Sequence, residues 1–212
     1  MKKCFIIYGG WPKLAGLLED FFEKLEIIFF MKHWCGAIPS INDVVGIAYS
    51  AGALDLLEDV KKNPGKFSRL IFIAPAGASI FPNHPFFNLW GFSMEVLKLL
   101  RKGEFRIFWE ILKEVFFKIL FFPIKSFREI EKIRKFDLWQ EFSSIKNLPP
   151  CFFVFPVKDE FIRACRGKSR EFGTYFTDIV SSGHFGLVEA VGYYQILINR
   201  IIQQPVRPMI KI

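Results

Sequence analysis

The sequence predicts an α/β fold: a mostly parallel sheet of about six strands, helices on both faces, and one helical insertion. Three observations carry that expectation. Short, wholly apolar strand candidates alternate with helical stretches at both ends of the chain, as strands buried on both faces do. Residues 81–147 break the alternation; no strand pattern is evident there, and the segment reads as helices separated at Gly91, Gly103 and Pro123. The length of 212 residues suits one domain carrying such an insertion.

The elements follow in order. Cys4–Tyr8 (CFIIY) reads as a first strand closed by Gly9-Gly10. Pro12–Lys24 is amphipathic, with Leu14, Leu17, Leu18, Phe21 and Phe22 at helical spacing on one side. Glu26–Met31 and Asp43–Ala48 are the second and third strands. A helix over Ala51–Lys62 is stopped by Asn63-Pro64-Gly65. Arg69–Ala74, Cys151–Pro156 and Tyr175–Val180 complete the sheet, the last two each followed by a helix. The expected organisation is a core of residues 1–80 and 148–212, with 81–147 as a helical cap.

Composition excludes several classes. Half the residues are apolar and 27 are Phe, too aromatic for a disordered chain. The net charge of +8 is compatible with an anionic membrane or an acidic partner, or with a lysine-rich surface alone; nucleic acid is not expected. Cys4, Cys35, Cys151 and Cys165 form no CxxC or CxxH pair, so neither a metal site nor a disulfide framework is predicted, and reduced thiols in a cytoplasmic protein are. The first apolar run ends at Tyr8, too short for a signal peptide. The greasiest stretch, Phe105–Phe122, contains five charges, too many for a membrane span. Of these, Arg106, Glu110, Glu114 and Lys118 line one side of a helix and leave a wide apolar face opposite. No cofactor motif is complete: Gly65-Lys66 followed by Ser68 lacks the earlier glycine of a phosphate loop, and Gly9-Gly10 lacks the third glycine of a dinucleotide fingerprint.

Functional groups of an open parallel sheet gather at the carboxyl ends of its strands. Ser50 follows the third strand, Asp159 the fifth and His184 the sixth. Singly these are a turn serine, a loop charge and a helix cap. Together they supply a nucleophile, an imidazole that takes its proton near neutral pH, and a carboxylate that fixes the imidazole tautomer. Ala48 and Gly52 are small, two positions either side of Ser50, as a tight exposed turn requires. Asp178 is a rival acid, expected inside the sixth strand rather than at its end. His33 and His84 have no partner pattern.

Four motifs carry a family likeness: A-Y-S-A-G around Ser50, R-L-I-F-I-A-P-A in the fourth strand, V-K-D-E-F-I around Asp159 and S-G-H-F-G around His184. With these, nearly the whole chain outside the insertion resembles a compact, esterase- or lipase-like member of the α/β-hydrolase superfamily, in a reduced version lacking the usual first two antiparallel strands. Ala48 stands for the first glycine of the serine motif, and Gly9 stands where the family often carries His. The resemblance implies a Ser50–His184–Asp159 triad, an oxyanion hole from the backbone amides of Trp11 and Ala51, and a cap over the site. The expected function is hydrolysis of carboxylic esters or thioesters with an apolar acyl chain. Alternatives are a peptidase, a carbon–carbon bond hydrolase, or a non-catalytic membrane-surface or partner-binding module. Phe86, Phe87, Trp90, Phe108 and Trp109, with Phe105, Phe116 and Phe117, are candidates to line an acyl pocket. Lys125, Arg128, Lys132, Arg134 and Lys135 are candidates to steer an anionic partner, either phospholipid headgroups or an acyl carrier protein.

Overall fold

A computed structural model describes residues 4–9, 28–31, 44–63, 65–78, 85–156, 158, 159, 174–177 and 184–203. The strands are β1 (Cys4–Tyr8), β2 (Ile28–Met31), β3 (Val44–Tyr49), β4 (Phe67–Ile73), β5 (Cys151–Phe155) and β6 (Thr174–Thr177). They form one sheet in the order β2-β1-β3-β4-β5-β6, and every pairing is parallel. The described helices are α1 (Gly52–Lys62), α2 (Pro85–Arg101), α3 (Phe105–Phe121), α4 (Pro123–Lys135), α5 (Leu138–Ser144), α6 (Gly186–Glu189) and α7 (Val191–Gln203). The expected helix over Pro12–Lys24 lies outside the described residues.

The strands lack polar alternation because both faces of the sheet are covered. Ile7, Ile47, Ile71, Ile73 and Val154 point to one side and cluster with Leu197, Ile198 and Ile201 of α7 and with Leu99, Ile107 and Ile111 of the insertion. Ile6, Ala48, Leu70, Phe72 and Phe153 point to the other and cluster with Leu56, Leu57 and Val60 of α1 and Leu138, Trp139 and Phe142 of α5. A strand residue and its neighbour therefore serve different cores.

The order of strands places the site. From β1 the chain steps outward to β2, then returns to lay β3 on the other side of β1. At such a reversal the connections leaving neighbouring strands diverge and open a crevice beyond their carboxyl ends. Ser50 is the first residue past β3, at that end of the sheet.

The insertion departs from the sequence reading in two ways. Gly91 breaks nothing: α2 runs through it, because buried packing outweighs the roughly 1 kcal/mol cost of a helical glycine. Gly103 and Pro123 do act as breaks, the first at φ +77° after α2 and the second opening α4. The second departure is one of direction. Glu114, in the charged row of α3, is buried together with Ile107 and Ile111. The apolar row opposite, which includes Phe105, Trp109 and Phe116, faces outward and is exposed. The described part of the sixth strand runs from Thr174 to Thr177, and Asp178 lies outside the described residues.

Candidate active site

All six residues of β3 are buried, and the chain then turns abruptly. Ser50 takes φ +53°, a left-handed conformation costing a non-glycine residue about 1–2 kcal/mol. Backbone bonds hold it there: its N–H donates to the Ile73 carbonyl at 3.0 Å, and its carbonyl accepts from Ala76 at 2.9 Å and Ala53 at 3.2 Å. Gly52 shows why the turn needs small residues, since a Cβ at that position would sit 2.0 Å from the Tyr8 carbonyl oxygen. Backbone from β1 occupies the space a side chain would need. The strained turn and the close approach together lift the Ser50 hydroxyl over the sheet edge, as a nucleophile elbow does.

The hydroxyl meets the imidazole. His184 Nε2 lies 3.0 Å from Ser50 Oγ, and His184 Nδ1 lies 2.8 Å from Asp159 Oδ2. An ionised carboxylate only accepts. Nδ1–H therefore donates to Asp159, and Nε2 keeps a lone pair toward the Ser50 hydroxyl, which donates to it. His184 and Asp159 are buried while Ser50 is half-buried, so the imidazole–carboxylate pair is screened from water and the hydroxyl is partly open to it. Three residues up to 134 positions apart thus meet in one hydrogen-bonded row.

Two supports of His184 were not foreseen. Tyr49, the residue before the nucleophile, donates its hydroxyl to the His184 carbonyl at 2.6 Å and stacks its ring on the imidazole at 5.5 Å. From α2, the carboxylate of Glu95, only 2% exposed, accepts from the His184 backbone N–H at 2.6 Å. Lys98, one turn on, donates to Glu95 at 2.7 Å and to the Lys158 carbonyl, beside Asp159, at 2.9 Å. The Glu95–Lys98 pair thereby holds the backbone at His184 and next to Asp159. In sequence, Glu95 and Lys98 look like a solvated helical pair at i, i+3 spacing, and Tyr49 like a core aromatic; no local signal separates either from that reading.

Below the elbow, the Tyr8 hydroxyl donates to the buried Asp59 carboxylate at 2.7 Å, joining the end of β1 to α1. Burial, reinforced by that carboxylate, pushes the Tyr8 phenol far above its ordinary range. Burial likewise raises the Cys151 thiol, which donates to the Pro149 carbonyl and is no rival nucleophile.

The other predicted positions fare differently. Ala51 sits at the N-cap of α1 in helical conformation, and among the described residues its N–H donates to no carbonyl. First-turn amides of any helix are unpaired; this one directly follows the nucleophile. Trp11, and the side chains of Phe86 and Phe87, lie outside what the structure describes. Phe108 packs partly buried against the core. Trp90 and Trp109 are 58% and 62% exposed, so neither is enclosed in an acyl pocket: the faces that bear them point to solvent. Lys125, Arg128, Lys132 and Lys135 are exposed, and Arg134 pairs with Glu131. Among the described residues no group of three or more His, Cys, Asp or Glu is placed to hold a metal.

The fold and the elbow together are those of the α/β-hydrolases. No protein-family model matches the chain, and no curated protein matches its sequence. Solved structures do. A lipase-esterase related protein from Clostridium acetobutylicum is 13% identical over 94% of each chain, with a TM-score of 0.63. A 2-hydroxy-6-oxo-6-phenylhexa-2,4-dienoate hydrolase from Rhodococcus is 10% identical over 96% of this chain and 91% of its own, at 0.64. A bromoperoxidase from Bacillus anthracis is 9% identical over 96% and 93%, also at 0.64. At such identities the likeness establishes the α/β-hydrolase fold, and the three descriptions name three different chemistries.

Proposed function

We propose that the protein is a serine hydrolase cleaving carboxylic esters or thioesters with apolar acyl chains. The observation that carries this reading is the Ser50–His184–Asp159 relay, with its contacts of 3.0 and 2.8 Å. Ser50 Oγ attacks the acyl carbonyl as its proton passes to His184 Nε2. The tetrahedral oxyanion is held by the Ala51 amide and a second backbone donor, each such donor being worth roughly 3–4 kcal/mol. Collapse expels the alcohol or thiol, which takes the proton from His184. Water then attacks the acyl-enzyme by the same relay in reverse order, releasing the acid and restoring Ser50. Asp159 stabilises the imidazolium throughout without itself taking the proton.

What supports an ester over an amide or carbon–carbon bond is the likeness of the fold to a lipase-esterase related protein and to a polyneuridine aldehyde esterase. Fluorophosphonate labelling tests the nucleophile: wild type takes up one label and Ser50→Ala none. Equal labelling of the two would end the enzyme reading. A p-nitrophenyl ester series from acetate to palmitate tests the acyl preference. Activity confined to acetate and butyrate would remove the apolar chain from the proposal. Turnover of a vinylogous diketone with no esterase activity would move it to carbon–carbon hydrolysis.

A further inference from the structure

We infer that the α3–α4 hairpin docks on an anionic lipid surface, its apolar tip and outer stripe entering the headgroup boundary while flanking basic side chains bind headgroups. The argument starts from which way α3 faces. Its core side is fixed by the buried Ile107, Ile111 and Glu114. On the side diametrically opposite, Phe105, Trp109, Leu112, Phe116 and Leu120 recur at steps of three and four and form a single stripe, every member exposed. A helix on a water-facing surface normally carries its polar residues there. This one buries Glu114 and turns its aromatics outward.

The stripe runs into the turn. Residues 119–124, Ile-Leu-Phe-Phe-Pro-Ile, contain no polar side chain and all are exposed. Beyond it, Ile124 and Phe127 of α4 are 69% and 67% exposed. The turn is built, not frayed: Ser126 donates to the Lys118 carbonyl at 2.9 Å, Lys118 pairs with Glu129, and Lys132 ties α4 to Glu58 of α1 at 2.6 Å. Contiguous apolar surface of this extent is rare on a free monomer and marks a contact site.

Charge selects the occupant. Residues 105–135 hold eight Lys and Arg against four Glu. Arg106, Lys113, Lys125 and Arg128 are exposed, and among the described residues none of the four is in an ion pair. They border the apolar stripe instead of covering it, the arrangement of an interfacial helix whose cations reach headgroups while its aromatics enter the acyl boundary. A second copy of this chain would bring like charges together. An acidic carrier protein would match the cations but not the apolar tip. Nor does the hairpin span: no described helix is long and apolar enough to cross a membrane.

The inference is independent of the catalytic reading, and Ser50→Ala is the control that separates them. The test is co-sedimentation of the full chain with sucrose-loaded vesicles, of phosphatidylcholine alone or mixed with phosphatidylglycerol. Wild type and Ser50→Ala should bind the mixed vesicles equally, and added salt should weaken that binding. Replacing Leu120 and Phe121 together by Ser should weaken binding at least tenfold, since each large apolar side chain contributes more than that factor when buried. Lys125→Glu with Arg128→Glu should weaken it on mixed vesicles only, by at least about fivefold for each charge lost. A wild-type measurement guards against variants that misfold: Trp fluorescence should shift to the blue on adding mixed vesicles, and Trp109→Phe should lose most of that shift. Three results would each overturn the inference: no binding to mixed vesicles by a monomeric protein, a concentration-dependent dimer abolished by the tip variant without vesicle binding, or binding to acyl carrier protein without vesicle binding.

Discussion

The Ser50–His184–Asp159 centre and the α3–α4 hairpin break the same rule in opposite directions. Around His184 the structure buries what water would normally keep: two carboxylates and an imidazole. At the hairpin it exposes what water would normally reject: a row of Phe, Leu, Ile and Trp. The buried polar groups are answered locally, Asp159 by His184 and Glu95 by Lys98. An unpaired charge at such depth would cost several kcal/mol. The exposed apolar groups have no comparable local remedy among the described residues. In both regions the exception to ordinary burial points to function.

Substitutions at the centre should separate the two regions most sharply. Ser50→Ala should lower kcat by about 10⁶-fold while leaving vesicle binding and melting temperature unchanged; an active Ser50→Ala would detach the chemistry from this elbow. Asp159→Asn comes next, at about 10⁴-fold in kcat, because an amide in place of the carboxylate lets Nδ1 hold the wrong tautomer. The centre's outer support should matter less. Glu95 acts through the His184 backbone, so Glu95→Ala should cost about 100-fold in kcat, the scale of a 1 Å misplacement. KM should stay constant, and the rate of fluorophosphonate labelling should fall in parallel. Glu95→Gln keeps an acceptor for the His184 N–H and should recover most of the loss. A general loss of folded protein, with the surviving fraction fully active, would reduce Glu95 to a structural prop.

How much of this was legible beforehand follows from the range of the physics. Strands and α1 were readable because apolar runs, Gly and Pro act locally, and six parallel strands emerged in nearly the predicted places. Ser50, Asp159 and His184 were readable because each must follow a strand, and strand ends can be found. Tyr49 and Glu95 were not: their roles exist only because β3, α2 and the His184 loop meet in space. The direction of α3 was unreadable for a different reason. An amphipathic pattern shows that a helix has two faces, and it takes a partner to say which one is inside. Here Glu114 went in and Trp109 went out.

Smaller effects probe the scaffold beneath the elbow. Tyr8→Phe leaves the buried Asp59 carboxylate without the hydroxyl that donates to it at 2.7 Å, a loss of about 1–3 kcal/mol. For a chain of this size that lowers Tm by about 2–4 °C per kcal/mol. The same bond has a pH signature. The Tyr8 phenol is raised in the folded protein from its ordinary 10.0, so the unfolded chain releases this proton first. Stability from this group is whole below pH 10 and declines as pH rises beyond it. Tyr8→Phe should flatten that decline, and an unaltered alkaline limb would show that another group is responsible.

The smallest effect belongs to the hairpin's own charges, and its smallness is informative. Glu131 accepts from Arg134 at 2.8 Å and pairs with Lys135 at 3.1 Å, and these partners hold its carboxyl down to about 2. The group lies partly exposed at the surface, so water and salt screen the pairing, and surface pairs of this kind contribute little. What stability it lends is present above its ordinary 4.5 and is lost as pH falls toward 2. Glu131→Gln should therefore leave Tm unchanged at neutral pH and moderate salt. It should strengthen binding to anionic vesicles, because Arg134 and Lys135 are released to reach headgroups and one negative charge is removed. A destabilised Glu131→Gln protein would mean that this face of α4 is buried against something in solution, and the contrast between a closed centre and an open hairpin would have to be redrawn.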